Sequence, residues 1–420
     1  MLKNPALKKN FLSVLGPGLI TGASDDDPSG IATYSQVGAH FGLGMLWTML
    51  FSYPLMTAVQ EISGRIGRVT GHGIAANIRR HYPAWLLQLI VWLLFIANTL
   101  NLGADLGAMG SCLALFVGGN ALFYTGALAM CCVTLEIFIP YTLYVRYLKW
   151  LTLVLFSYVA TAMIAHVPFK QTLQSTFLPH ILMNKKYLTS LIAVLGTTIS
   201  PYLVFWQASE EAEEVVDHRG EHPLKRSPEE APGQLKRIRI DTYVGMAFSN
   251  LVAFFIILAT AATLNAHGIT EIATAQQAAQ ALEPVAGHLA FLLFSLGIIG
   301  TGLLAVPVLA GSSAYALGEA FRWRIGLERK LFRAKAFYGV IFLSTGIGFM
   351  LNLLKINTIK ALFWSAVING AVSVPVLAIM MWIACDRTIM GDFVISPYLR
   401  TVGWLTTGLM LAVAVVMLLY

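Results

Sequence analysis

Three consecutive carboxylates, Asp25, Asp26 and Asp27, followed by Pro28, Ser29 and Gly30, are the residues of this chain best suited to chemistry. The chemistry they suit is the holding of a hard cation, because carboxylate and carbonyl oxygens are its preferred ligands. A second polar run, Gly196-Thr-Thr-Ile-Ser-Pro-Tyr202, sets three hydroxyls ahead of Pro201. A proline there frees the carbonyls of Thr197 and its neighbours from helical bonding, which makes them available to an ion. No nucleophile–base pair and no cofactor motif accompanies either run, so an enzyme is the least favoured class. Cys112, Cys131, Cys132 and Cys385 lack metal-ligand spacing and suit helix packing, as do the scattered methionines. The histidines lie mostly in loops without ligand spacing.

Both runs sit inside long apolar segments. The chain of 420 residues is 57% hydrophobic and 12% charged, the composition of a many-span integral membrane protein. The segment 11–41 reads as a span whose middle no continuous helix would carry into hydrocarbon, since each buried charge costs several kcal/mol there. A broken helix follows, with halves near 11–23 and 29–41 and an unwound middle lining a polar cavity. The plainer alternative, a short loop between two elements, leaves flanks too short to span separately. Further apolar runs place spans at 43–66, 84–117, 121–141, 147–166, 187–210, 242–265, 285–321, 331–354, 359–385 and 399–420. That makes eleven. Interrupted spans one and six, five apart, predict an all-α, five-plus-five inverted-repeat (LeuT-like) fold. Repeat one covers about 11–166 and repeat two about 187–385, with an extra helix at about 399–420, all in one transmembrane domain.

The net charge of +7 reflects topology and not nucleic-acid binding. With the N-terminus in the cytoplasm, 23 of the 28 basic residues face inside, leaving Lys170, Lys185, Lys186, Lys355 and Lys360 outside. No cleavable leader is read at the N-terminus. The expected setting is a bacterial inner membrane, with the bilayer as a partner and a monomer sufficient. The stretch 210–241 reads as the longest polar loop, its Glu-Glu-Ala-Glu-Glu run continuing the sixth helix as a solvated face or an inner cation vestibule.

In order along the chain, GPGLITGAS…DPSG, ADLGAMG in the third span and GTTISPY in the sixth resemble the motifs of the NRAMP divalent-metal transporters. The resemblance covers nearly the full length. It implies a substrate site made of Asp27, Gly30 and Ser200 with the carbonyls of Ser24 and Thr197. Two of these depart from the family pattern: Gly30 stands for Asn, and Ser200 for Met. A thioether favours soft ions, so its loss together with a wider site at Gly30 points to partly hydrated Mg²⁺. That is the pattern of the NRAMP-related magnesium transporters. The family's proton-relay positions carry Tyr202, Gln207 and Ala108, leaving Asp105 alone, which implies transport without proton coupling. A divalent cation is thus substrate, and no cofactor is implied.

Asp25 and Asp26 are read as extra ligands or as carboxylates facing an outer water funnel. Asp105, beside Asn98 and Asn101, either serves the ion path or pairs with a neighbouring polar group. Asn369 in the tenth span is a weaker ligand candidate, and Glu136 is read as a structural partner of Arg146 or of water in preference to a transport role. The competing readings are a proton-coupled Mn²⁺/Fe²⁺ importer, a carrier of another small solute on the same fold, and a membrane sensor.

Overall fold

A computed structural model of the chain describes residues 21–139 (except 23), 143, 151–165, 167–217, 221–327, 329–354 and 356–419. It is helical throughout, with no strand among the described residues. The principal helices are α1 (Pro28–Phe41), α2 (Trp47–Thr70), α3 (Ile74–His81), α4 (Ala84–Val117), α5 (Ala121–Phe138), α6 (Phe156–Ile164) and α7 (Phe169–Phe177). The second half adds α8 (Lys185–Thr198), α9 (Pro201–Asp217), α10 (Ala231–Thr263), α11 (Ala290–Ala320), α12 (Lys335–Leu351), α13 (Thr358–Cys385) and α14 (Pro397–Leu419).

Eight helical stretches among the described residues are long and apolar enough to cross a membrane, nine if a bent pair counts as one. That pair is α1 with α2, which meet at 108°. α1 ends at Gly42, whose φ of 57° lies where only glycine sits without strain, and after the turn Gly42–Met45 the bend falls at Leu46. The expected fifth span shows a short apolar helix, Leu153–Ile164. Its residues 147–150, like residues 11–20 of the first half-helix and Arg146, lie outside the described residues.

Both expected breaks are present. Thr21, Gly22, Ser24 and Asp25 are helical, the chain leaves the helix at Asp26 and Asp27, and α1 begins at Pro28. In the sixth span, α8 ends at Thr198 and α9 begins at Pro201. Proline's fixed φ and missing N–H suit the first helical position, so in each case the residue that ends one half starts the next.

Two boundaries differ from expectation. α10 starts at Ala231, eleven residues before the expected seventh span, so the polar loop between α9 and α10 is short. Buried Ile238, Asp241 and Thr242 follow a helical period, a pattern hidden from a hydropathy window by the charges between them. Arg237 then pairs with Glu211 at 2.5 Å and Glu214 at 3.0 Å, so Glu211 is buried in an ion pair and is not on a solvated face. The helix of the expected eighth span, α11, starts at Ala290, because Gly287 turns the chain at φ 50°.

The core is a set of close crossings: α11 on α4, α8 on α13, α9 on α2 and α10 on α1. At the second of these a Cβ on Gly196 would lie 2.2 Å from the Ala366 carbonyl oxygen and 2.5 Å from the Gly370 nitrogen. Backbone meets backbone there, holding the sixth-span break against α13.

Candidate metal-ion site

Asp27 is oriented by the start of α1. It is the N-cap, with extended backbone, and its Oδ1 accepts hydrogen bonds from Gly30 N at 2.6 Å and Ser29 Oγ at 2.8 Å. Capping satisfies helix-terminal N–H groups that would otherwise be orphaned. Its Oδ2 faces α4 and accepts from Asn101 Nδ2 at 2.8 Å. The same amide reaches Asp105 Oδ2 at 3.4 Å. Asp27, Asn101 and Asp105 are all buried, and Asp105 Oδ1 has no partner among the described residues.

Asp25 and Asp26 take another direction. The Ser249 hydroxyl on α10 lies 2.6 Å from Asp25 Oδ2 and 3.2 Å from Asp26 Oδ1. With one proton it can serve only one of them at a time. Their other oxygens, Asp25 Oδ1 and Asp26 Oδ2, are buried without a partner among the described residues. The triplet is therefore shared between two neighbouring helices.

At the sixth-span break, hydroxyls replace the donors that Pro201 removes. Ser200 Oγ donates within reach of Thr197 O at 2.6 Å and Gly196 O at 3.0 Å. Ser373 on α13 donates to Ile199 O at 2.8 Å, and Ser312 on α11 to Tyr202 O at 2.9 Å. Two phenols tie this break to the first. Tyr202 OH donates to the Ser24 carbonyl at 3.1 Å, and Tyr34 OH joins Thr197 Oγ1 at 2.9 Å.

The expected site residues thus fall into three short hydrogen-bonded chains around the two breaks: Gly30–Asp27–Asn101–Asp105, Ser24–Tyr202, and Tyr34–Thr197–Ser200. Tyr34 also packs on Gly30. At Gly30 a Cβ would lie 3.3 Å from Asp27 Oδ1, 3.4 Å from Asp25 O and 3.4 Å from a Tyr34 ring carbon. A single carbon would thus sit close against these neighbours.

Asn369 is not hydrogen-bonded to these chains through its side chain, whose Oδ1 is buried without a partner among the described residues. Its carbonyl shares Ser373 with Ile199. Gln207 Oε1 accepts from Thr21 Oγ1 at 2.6 Å. Ala108 lines a cavity of about 270 Å³ with Ala32, Ser111, Phe294 and Thr358. Glu136 is buried, and its Oε1 has no partner among the described residues. Sequence reading missed Asn101 as a partner of Asp27, and missed Tyr34 and Ser249 altogether. Asn101 had a signal, lying one turn before Asp105 in an apolar helix; Ser249 acts through a helix distant in sequence, and Tyr34 packs on Gly30 of its own helix while reaching Thr197 of α8.

Among the described residues no three His, Cys, Asp or Glu side chains converge to hold a metal. The breaks carry oxygen instead: the oriented Asp27 carboxylate, and the Ser24 and Thr197 carbonyls, which accept from the Tyr202 and Ser200 hydroxyls. Helices interrupted at Asp26–Asp27 and at Ile199–Ser200 in a polytopic helical chain fit the LeuT-like class of membrane folds. The family model described as natural resistance-associated macrophage protein-like matches residues 18–420, and the chain belongs to that family, the Nramp transporters, which are not enzymes. A divalent metal cation transporter, MntH, of Aeromonas hydrophila is 25% identical over 419 residues, 96% of this chain and 95% of that protein. MntH of Verminephrobacter eiseniae is 24% identical over 426 residues, covering 97% and 89%. Among solved structures, the Eremococcus coleocola manganese transporter in complex with an aromatic bis-isothiourea compound superposes with a TM-score of 0.76 at 14% identity, covering 100% of this chain and 88% of that one. MhsT in complex with L-phenylalanine shares the fold more distantly, with a TM-score of 0.54 at 12% identity over 94% and 98%.

Proposed function

We propose that this transporter carries Mg²⁺ by alternating access, without coupling to protons. That the cargo is a divalent metal cation rests on family membership and on the named activity of the MntH relatives. The observation that carries the choice of ion is the ligand set. Asp27, the Ser24 and Thr197 carbonyls and the Ser200 hydroxyl offer oxygen alone, with no thioether or ring nitrogen among them. One carboxylate with neutral oxygens suits an ion that keeps part of its water, and removing the soft ligand removes the preference for Mn²⁺ over Mg²⁺.

The uncoupled reading is supported by what occupies the relay positions. Tyr202 is spent on the Ser24 carbonyl, Gln207 on Thr21, and Ala108 carries no proton. Asn101 joins Asp27 to Asp105, but an amide that donates to both carboxylates does not pass a proton between them. The membrane potential suffices as driving force: about 100 mV is worth roughly 2.3 kcal/mol per charge, hence about 4.6 kcal/mol for a dication. The N-terminus faces the cytoplasm in this reading, in a bacterial inner membrane.

The test uses liposomes holding the purified protein, a magnesium dye and a pH dye, with an imposed potassium diffusion potential. Mg²⁺ should enter, Mn²⁺ should compete with little preference, and internal pH should hold. Exclusion of Mg²⁺ with passage of Mn²⁺ refutes the ion assignment. Acidification that requires both protein and metal refutes the uniport.

A further inference from the structure

A second cavity, of about 290 Å³, lies where the ends of α2, α3, α9 and α11 meet, away from Asp27. Four arginines line it: Arg79 and Arg80 from the last turn of α3, and Arg322 and Arg329 from the segment after α11. Among the described residues none of the four is in an ion pair.

Two carboxylates share the lining, and both also accept hydrogen bonds from neighbouring elements. Glu319 Oε2 accepts from Ala76 N at 2.9 Å and its Oε1 from Ser209 Oγ at 3.3 Å, so its charge serves the first turn of α3. Gly73 permits this approach, since a Cβ there would lie 2.0 Å from Glu319 Oε1. Glu213 accepts the Tyr315 hydroxyl. Among the described lining residues four arginines face only two carboxylates, of which Glu319 attracts Arg79, so the cavity keeps an excess of positive charge. The half-buried His72 on the same wall registers it: burial, with Arg80, Arg79 and Arg226 nearby, lowers its pKa to about 4.

Arg322 shows that the arrangement is more than helix-end decoration. Its φ of 60° makes it the one described non-glycine residue in the left-handed region. It occupies the position just past the end of α11, where Phe321 N bonds Leu317 O at 2.9 Å and Trp323 N bonds Gly318 O at 2.8 Å. Glycine is the usual residue in that motif because a Cβ is strained there. A strained arginine kept where glycine would fit better brings a guanidinium to the cavity wall. Beside it Phe321 and Trp323 stack, with centroids 5.3 Å apart and planes at 26°, and both are partly exposed, as is Val216. Arginines edged by exposed aromatic and aliphatic groups match the boundary between headgroups and acyl chains.

We propose that this cavity binds the phosphate headgroup of an anionic phospholipid, with Arg79, Arg80, Arg322 and Arg329 as its ligands. The site is separate from the ion site and independent of which ion is carried. The test compares the full-length wild type with Arg322→Gly and with the double variant Arg322→Gly, Arg79→Gln. Each is placed in nanodiscs of pure phosphatidylcholine or of phosphatidylcholine with phosphatidylglycerol, and read by thermal melting and by native mass spectrometry of retained lipid. In pure phosphatidylcholine Arg322→Gly should melt no lower than wild type, because glycine relieves the strain. Phosphatidylglycerol should raise the wild-type melting temperature and be retained at least about tenfold more than by the double variant. Equal retention by wild type and double variant overturns the proposal. Millimolar inorganic phosphate giving the same increment in phosphatidylcholine overturns the lipid assignment in favour of a soluble anion.

Discussion

Replacing Asp27 by asparagine isolates its charge. Asparagine ranks with aspartate as an N-cap, so α1 should still start at Pro28, with the new amide oxygen accepting from Gly30 N and Ser29 Oγ as Asp27 Oδ1 does now. The new NH₂ would then face Asn101 Nδ2, donor against donor. Asn101 can turn over, because its Oδ1 has no partner among the described residues and would gain one. The cost falls on Asp105, which loses its 3.4 Å contact to the Asn101 amide. Folding should therefore change little. For the ion the change is large: a dication about 4 Å from a carboxylate is attracted by about 8 kcal/mol at an effective dielectric of about 20. Dehydration offsets most of that. If a third survives, the loss is about 2.7 kcal/mol, or roughly a hundredfold in affinity. The assay is Mg²⁺ entry into liposomes over a range of concentrations, beside a melting curve of the same preparation. Flux within about threefold of wild type, with the melting temperature unchanged, would refute Asp27 as the central ligand.

The other predictions concern selectivity, packing and pH. Ser200→Met with Gly30→Asn should shift competition towards Mn²⁺ or Cd²⁺, by adding a soft ligand; an unchanged Mg²⁺ to Mn²⁺ ratio in the flux assay would count against the ligand role of both positions. Gly196→Ala should destabilise the protein by about 1–3 kcal/mol, because its Cβ would meet the Ala366 carbonyl at 2.2 Å; thermal melting reads this directly. His72, held at about 4 when folded against 6.5 when free, is neutral in both states above 6.5. Between the two values only the unfolded chain takes up the proton, so stability should fall as pH drops from 6.5 towards 4. His72→Gln should flatten that part of the melting profile.

How much was legible in the sequence can be judged residue by residue. The breaks at Asp27–Pro28 and at Ser200–Pro201 were readable because proline acts locally: it removes one donor and fixes one torsion wherever it stands. The apolar spans were readable because hydrocarbon demands a run of apolar residues. Family membership followed from short motifs falling in order on those spans. The start of α10 was not readable from hydropathy, since its first three turns carry Arg237, whose partners Glu211 and Glu214 belong to α9, and Arg239, whose partner Glu61 belongs to α2.

Tertiary structure decided the rest. That Asn101 orients Asp27, that Ser249 is shared by Asp25 and Asp26, and that Tyr34 packs beside Gly30 all depend on which helix lies against which. Each is a contact between residues more than seventy apart, except for Tyr34, whose ring reaches both its own helix and Thr197. The surroundings of Gly30 belong here too: a glycine's free space depends on which neighbours enter it. Local chemistry sets what each residue can do on its own; the helix packing determines which other residues it meets.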